Sequence, residues 1–231
     1  MQQQSPVNTN PYRTPESGKF VDALNAFAHW FNRHWLAIVV GIILVYGLLP
    51  FGAPVLMKAG LTNAAQWIYQ PYKLVCHTYA FRSFFLFGEQ LVYPRGNGDG
   101  VFERATGIAD TPAGLLQARE FQGNEQLGYK VAICERDIAI YLALAVNGIA
   151  FAFTRRRARP LPWLWFILIG IVPIGIDGFA QLFSQWPFNF VPFYESSWVL
   201  RVITGSLFGF SVAWLVFPLI EGTMRGMRSN A

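Results

Sequence analysis

WLAIVVGIILVYGLLPFGAPVLM, residues 35–57, carries no charged side chain. A helix crossing about 30 Å of hydrocarbon needs about 20 residues at 1.5 Å each. This run is long enough, so Trp35–Met57 reads as a membrane span, with Pro50 and Pro54 predicted to kink or end it. Three more runs follow: Val131–Phe153, Leu161–Phe183 and Trp198–Ile220. The predicted fold class is therefore all-α, an integral membrane bundle of about four transmembrane helices with an extracytoplasmic loop region.

Composition agrees. Of 231 residues, 53% are hydrophobic and 13% charged, with mean hydropathy +0.32. Soluble domains carry roughly twice that share of charge. The net charge of +5 does not point to nucleic acid. The basic residues sit between apolar runs and form no stripe interleaved with stacking aromatics. Residues 1–34 hold no short apolar core with a small-residue cleavage site, so the first span reads as an uncleaved signal-anchor.

The rest divides around these spans. Residues 1–34 read as a cytoplasmic tail followed by an amphipathic interfacial helix, with Phe20, Leu24, Phe27 and Phe31 at helical spacing. His29 and His34 there read as interfacial polar residues rather than metal ligands. Residues 58–130 form the external loop. Its first part, 59–90, mixes apolar and polar residues around Pro71 and predicts one or two interfacial or re-entrant helices, or a fifth span. Its later part is polar and Gly-rich. The run Asn97-Gly98-Asp99-Gly100 lacks the spaced carboxylates of a calcium loop and reads as a turn. Residues 221–231 form a second cytoplasmic tail.

Arg155, Arg156, Arg157 and Arg159 crowd the short loop TRRRARP (154–160), which the positive-inside rule places in the cytoplasm. The tail with Arg225 and Arg228 and the N-terminal segment with Arg13, Lys19 and Arg33 then fall on the same side. The loop SQWPFNFVPFYESS (184–197) has no Lys or Arg and falls outside, its aromatics, Trp186 among them, suited to the headgroup level. The expected location is the cell membrane, multi-pass, with both termini cytoplasmic.

That topology gathers the polar residues most expensive in a membrane toward the outer side. They are Cys76, His77, Arg82, Glu89 and Gln90 in the loop; Cys134, Glu135, Arg136 and Asp137 at the start of the second span; Asp177 and Gln181 near the end of the third; and Glu195 and Arg201 around the start of the fourth. Nine of them are the candidate site residues: Cys76, His77, Arg82, Cys134, Arg136, Asp137, Asp177, Gln181 and Arg201. An isolated charge in the bilayer costs at least about 2.5–3.5 kcal/mol, so such residues face partners or a wet cavity. Asp177 with Arg201, and Asp137 with Arg136 or Arg82, are the expected pairs. Gly205 and Gly209 form a GxxxG that lets helices approach closely. Pro173, Gly175 and Gly178 predict a break before Asp177. The two cysteines leave three readings open: a Cys76–Cys134 disulfide, placed first; a metal site from Cys76, His77, Cys134 and Asp137; or unpaired thiols.

Four motifs, CHTYAFRSFFLFGEQ (76–90), AICERDIAIYLAL (132–144), GIDGFAQ (175–181) and LRVITGSLFG (200–209), together resemble a family of small prokaryotic multi-pass membrane proteins, domain of unknown function 2085. The resemblance covers about residues 60–215. It marks Cys76, His77, Arg82, Ser83, Gly88, Gln90, Cys134, Arg136, Asp177, Gly178, Gln181, Arg201, Thr204 and Gly205. The chain departs from the pattern at Asp137, where the family has a second Cys, and in residues 91–130, which read as an insertion. The resemblance implies no activity and no cofactor.

No Walker loop, Rossmann glycine pattern, HExxH or Gly-x-Ser-x-Gly is present. The function expected from these residues is a metal- or thiol-dependent site on the outer face. The alternatives are a structural or accessory subunit of a larger membrane complex, or a transporter component. The partners expected are the lipid bilayer and other membrane proteins, not nucleic acid.

Overall fold

The computed structural model describes residues 15–96, 100–185 and 187–229. Arg13, Asn97, Asp99 and Trp186, and the expectations placed on them, lie outside the described residues. So does the side chain of Arg228.

The chain folds as an all-α membrane bundle. Among the described residues, four helices are long and apolar enough to cross a membrane: Gly18–Lys58, Glu135–Phe153, Trp163–Phe183 and Trp198–Gly226. The first is α1 (Pro15–Leu48), a 3₁₀ turn over Leu49–Phe51, and α2 (Gly52–Lys58). Pro50 thus tightens the helix locally without ending it. The amphipathic segment expected to stop at residue 34 continues into the span. No proline stands between Pro15 and Pro50, so nothing interrupts the backbone hydrogen bonds.

Between the first and second spans lies a compact unit. Helix α3 (Thr62–Val75) turns Ala65, Tyr69 and Tyr72 inward. Strand β1 (Phe85–Leu86), helices α4 (Val101–Thr106) and α5 (Pro112–Glu120), and strands β2 (Gly123–Asn124) and β3 (Gly128–Lys130) complete it. The antiparallel sheet has the order β1-β3-β2, with Phe85 opposite Lys130 and Gly123 opposite Tyr129. Ala80, Phe81, Phe85, Tyr93, Phe102, Ala118 and Leu127 form its core. The stretch expected as an insertion therefore supplies a second small core. At its join, a Cβ on Gly88 would stand 2.0 Å from the Leu127 carbonyl oxygen, so only glycine fits there.

The second, third and fourth spans are α6 (Glu135–Phe153), α7 (Trp163–Phe183) and α8 (Trp198–Ser229). Helices α6 and α8 pack backbone to backbone. A Cβ on Gly205 would lie 2.7 Å from the Arg136 carbonyl oxygen, and one on Gly209 2.3 Å from that of Ile140. This is the close approach a GxxxG permits. Within α7, Phe166–Ile171 is π-helical and regular α-helix resumes at Val172. The wider turn accommodates Pro173, which has no N–H to donate and whose ring crowds the preceding turn.

At one end of the bundle, the loop after α6, the start of the first span and the end of α8 interlock. Arg156 donates to the Arg33 carbonyl at 3.2 Å, Arg225 donates to the Arg156 carbonyl, and Trp35 Nε1 donates to Glu221 at 2.9 Å. The small unit and the start of α6, end of α7 and start of α8 occupy the opposite end.

Candidate functional site

At that opposite end, the backbone brings together cysteines far apart in sequence. Cys76 ends α3 in extended conformation, and Cys134 is the N-cap of α6, its sulfur accepting from the Asp137 N–H at 3.5 Å. Asp137, one turn into α6, joins them. One ligand atom from each of Cys76, Cys134 and Asp137 lies within 4.8 Å of the others. Both cysteines are free thiols in this structure. The neighbouring Cys134 sulfur lowers the Cys76 thiol from its ordinary value, and Cys76 together with burial raises that of Cys134.

His77 does not join this trio. Successive side chains of extended backbone point to opposite sides, and Cys76 has φ −137° and ψ 151°. The His77 ring instead stacks on Tyr79 at 5.8 Å between centroids, exposed at the rim.

The charged residues pair differently from expectation. Asp177 binds Arg136 Nη2, and also accepts from Tyr194 at 2.7 Å and Ser196 at 2.8 Å. Arg201 does not pair with Asp177. It reaches Glu135 at 3.1 Å and Glu195. Arg82 makes a two-pronged contact with Glu195, at 2.8 and 2.9 Å, and Gln185 and Gln181 donate to the same carboxylate. Neither Arg136 nor Arg82 ion-pairs with Asp137. The physical reason is that Asp177 takes up Arg136, while Glu195 and Glu135 take up Arg82 and Arg201. Burial pushes the Glu195 carboxyl up, but Arg82 and then Arg201 outweigh it and hold it below the ordinary value.

Eight of the nine expected residues, His77 among them, line one cavity, and the ninth, Asp177, binds Arg136 in its wall. Glu135 and Glu195, which the sequence places on the same side but not among the nine candidates, stand next to residues of that set. Glu135 adjoins Cys134 and Arg136, and Glu195 opens the segment leading into the fourth span. The trio faces a cavity of about 280 Å³ whose wall includes Cys76, Cys134, Asp137, Arg82, Arg136 and Arg201.

The donor set fits a metal ion. Two thiolates and a carboxylate suit zinc, whose catalytic sites take three protein ligands and leave a fourth position open. Zn–S bonds of about 2.3 Å keep two sulfurs on one ion within about 4.6 Å, comparable with the spacing here. The cavity lies where a fourth ligand would bind.

Comparison with known proteins agrees with the motifs. Residues 125–215 match the family described as "Predicted membrane protein (DUF2085)". That stretch of the chain is similar to this family of membrane proteins. The matched stretch holds α6, α7 and the first part of α8, with Cys134, Asp137, Asp177 and Arg201, while Cys76, His77 and Arg82 precede it. A relative from Methanocaldococcus jannaschii, "Uncharacterized protein MJ1492", is 24% identical over 194 residues, covering 81% of this chain and 93% of its own. No solved structure matches the chain.

Proposed function

We propose that this protein is a multi-pass membrane protein carrying a thiolate-metal site on its outer face, with Cys76, Cys134 and Asp137 as ligands and zinc as the metal class. The observation that carries the reading is the convergence of two cysteines and a carboxylate, from two separate parts of the chain, beside a polar cavity. When bound, such an ion supplies a Lewis acid. The chain's residues hold the ligands in place: Cys134 caps α6, and the Arg82–Glu195–Arg201 network pins the loop after α7 against α6. The orientation rests on the interlocked end of the bundle, where Arg156, Arg225 and the first span meet; with the arginine-rich loop in the cytoplasm, the cysteines are external.

The test is metal binding by the reduced, detergent-purified protein. One zinc per chain is expected, with cobalt substitution giving sulfur-to-metal charge-transfer bands. Loss of binding in Cys76→Ser, Cys134→Ser and Asp137→Asn proteins that still fold is the supporting result. Absence of zinc in the reduced wild type, or retention in all three variants, removes the reading. Orientation is tested separately with Ser197→Cys and Ala158→Cys in a cysteine-free background: a membrane-impermeant maleimide should label only the first in intact cells.

A second reading, a structural subunit of a larger membrane assembly, is supported by the ion pairs themselves. Arg136–Asp177 ties α6 to α7, and Arg201–Glu135 ties α8 to α6. A stoichiometric partner that co-purifies and survives loss of the metal ligands would favour it.

A further inference from the structure

The cavity beside the cysteines has an excess of hydrogen-bond donors. Arg136 spends only Nη2 on Asp177. Its Nε is buried without an acceptor, and Nη1 makes no hydrogen bond. Arg201 uses both terminal nitrogens, on Glu135 and Glu195, and its buried Nε has no partner. Arg82 uses Nε and Nη2, leaving Nη1. Thr78 adds a buried hydroxyl with no partner, on a backbone held at φ 49°, a region a β-branched residue seldom adopts. All four residues line the same cavity. Of these donors, Arg136 Nε, Arg201 Nε and the Thr78 hydroxyl are buried; buried polar groups are nearly always paired, so these three require an explanation, such as a missing acceptor.

We propose that this cavity is an oxyanion site, and that the ligand presented to the Cys76–Cys134–Asp137 trio carries a phosphate-type group. Guanidinium forks match the geometry of phosphate oxygens. Glu135, Glu195 and Asp177 offset the three arginines and Asp137 adds a further carboxylate to the wall, so selection comes from the leftover N–H groups and not from net charge. A volume of about 280 Å³ is at the small end for ligand pockets, which suits a free anion or a headgroup rather than a large molecule. The proposal takes its choice of reacting centre from the metal reading, but the anion site itself needs no metal.

Two sources of this chemistry are distinguished by titration calorimetry on the whole protein in neutral detergent, with sodium phosphate and with dihexanoyl phosphatidic acid as probes. Binding of phosphate supports a free anion, and binding of the phosphatidate alone supports a lipid headgroup. In either case Arg136→Lys and Arg82→Lys, which keep the charge but lose the fork, should weaken binding about tenfold each, the loss expected for a charge-assisted hydrogen bond. Arg225→Lys, at the other end of the bundle, should leave it unchanged. If one fork variant fails to fold, the other carries the test, with matched melting temperature as the control. Failure of the wild type to bind either probe, or binding indifferent to the fork variants, overturns the proposal. Zinc-free Cys134→Ser protein separates the two ideas. Anion binding there stands even if the metal reading falls, and zinc binding without anion binding sinks the oxyanion site alone.

Discussion

Lys130 is fully buried in β3, and its amine donates to the Thr78 carbonyl at 2.8 Å and the Arg119 carbonyl at 2.6 Å. No carboxylate bonds it. Burial, and then Lys73, pull its pKa from the ordinary 10.5 down to about 7, against weaker support from Glu120 and Cys76. A neutral amine has two N–H donors, which matches the two carbonyls. Between pH 7 and 10.5 the unfolded chain holds a proton that the folded chain does not. Stability should therefore rise with pH across that window, by up to about 1.4 kcal/mol per unit and about 5 kcal/mol in all. Below pH 7 both states are protonated and the full cost is present. Lys130→Met removes the titration while leaving two carbonyls unpaired, a loss independent of pH. For a chain of this size 1 kcal/mol shifts Tm by about 2–4 °C. Tryptophan-fluorescence melting in one detergent from pH 7 to 10 should show the wild type gaining about 3–5 °C per pH unit on Lys130→Met. Lys130→Arg, which cannot neutralise, should be destabilised throughout. Parallel curves for wild type and Lys130→Met would refute the reasoning.

Glu195→Ala leaves Arg82 and Arg201 without their shared carboxylate, which should cost about 3–5 kcal/mol and lower Tm by roughly 10 °C. Because the folded pKa of Glu195 lies below its ordinary value, its stabilisation is present above that value and lost as pH falls through the folded one; Glu195→Gln should flatten that acid limb in a pH series of melts. Asp137→Cys restores the residue the family carries there. It should bind zinc more tightly than the wild type in a chelator competition, and a weaker or absent zinc complex would count against the trio. Gly209→Ala puts a methyl 2.3 Å from the Ile140 carbonyl, so it should destabilise by about 1–3 kcal/mol, while Gly222→Ala, with open space around it, should not.

The spans were legible because lipid imposes a coarse rule, about 20 apolar residues per crossing, that individual side chains cannot override. The GxxxG of α8 was legible for the same kind of reason: closeness of two backbones depends on what glycine lacks. Pairing was not. Asp177 and Arg201 lie on neighbouring spans, but which guanidinium reaches which carboxylate depends on how α6, α7 and α8 rotate about their axes, and on a loop that carries Tyr194, Glu195 and Ser196 into the cluster. Nothing in residue spacing reports that rotation. The small core of Phe81, Phe85, Tyr93, Phe102 and Leu127 was hidden too, because its strands are two or three residues long and show no period.

Asp137 shows where sequence and structure meet. In the sequence it departs from the family pattern and weakens the case for a metal. In the fold it occupies the position next to Cys134 Sγ that a second cysteine would take, one turn into α6, and its own N–H holds that sulfur. Replacing a thiolate by a carboxylate keeps the charge and the ability to ligate while exchanging a soft donor for a harder one. On the proposed metal reading, the departure alters which ion the site prefers, rather than whether it can hold one.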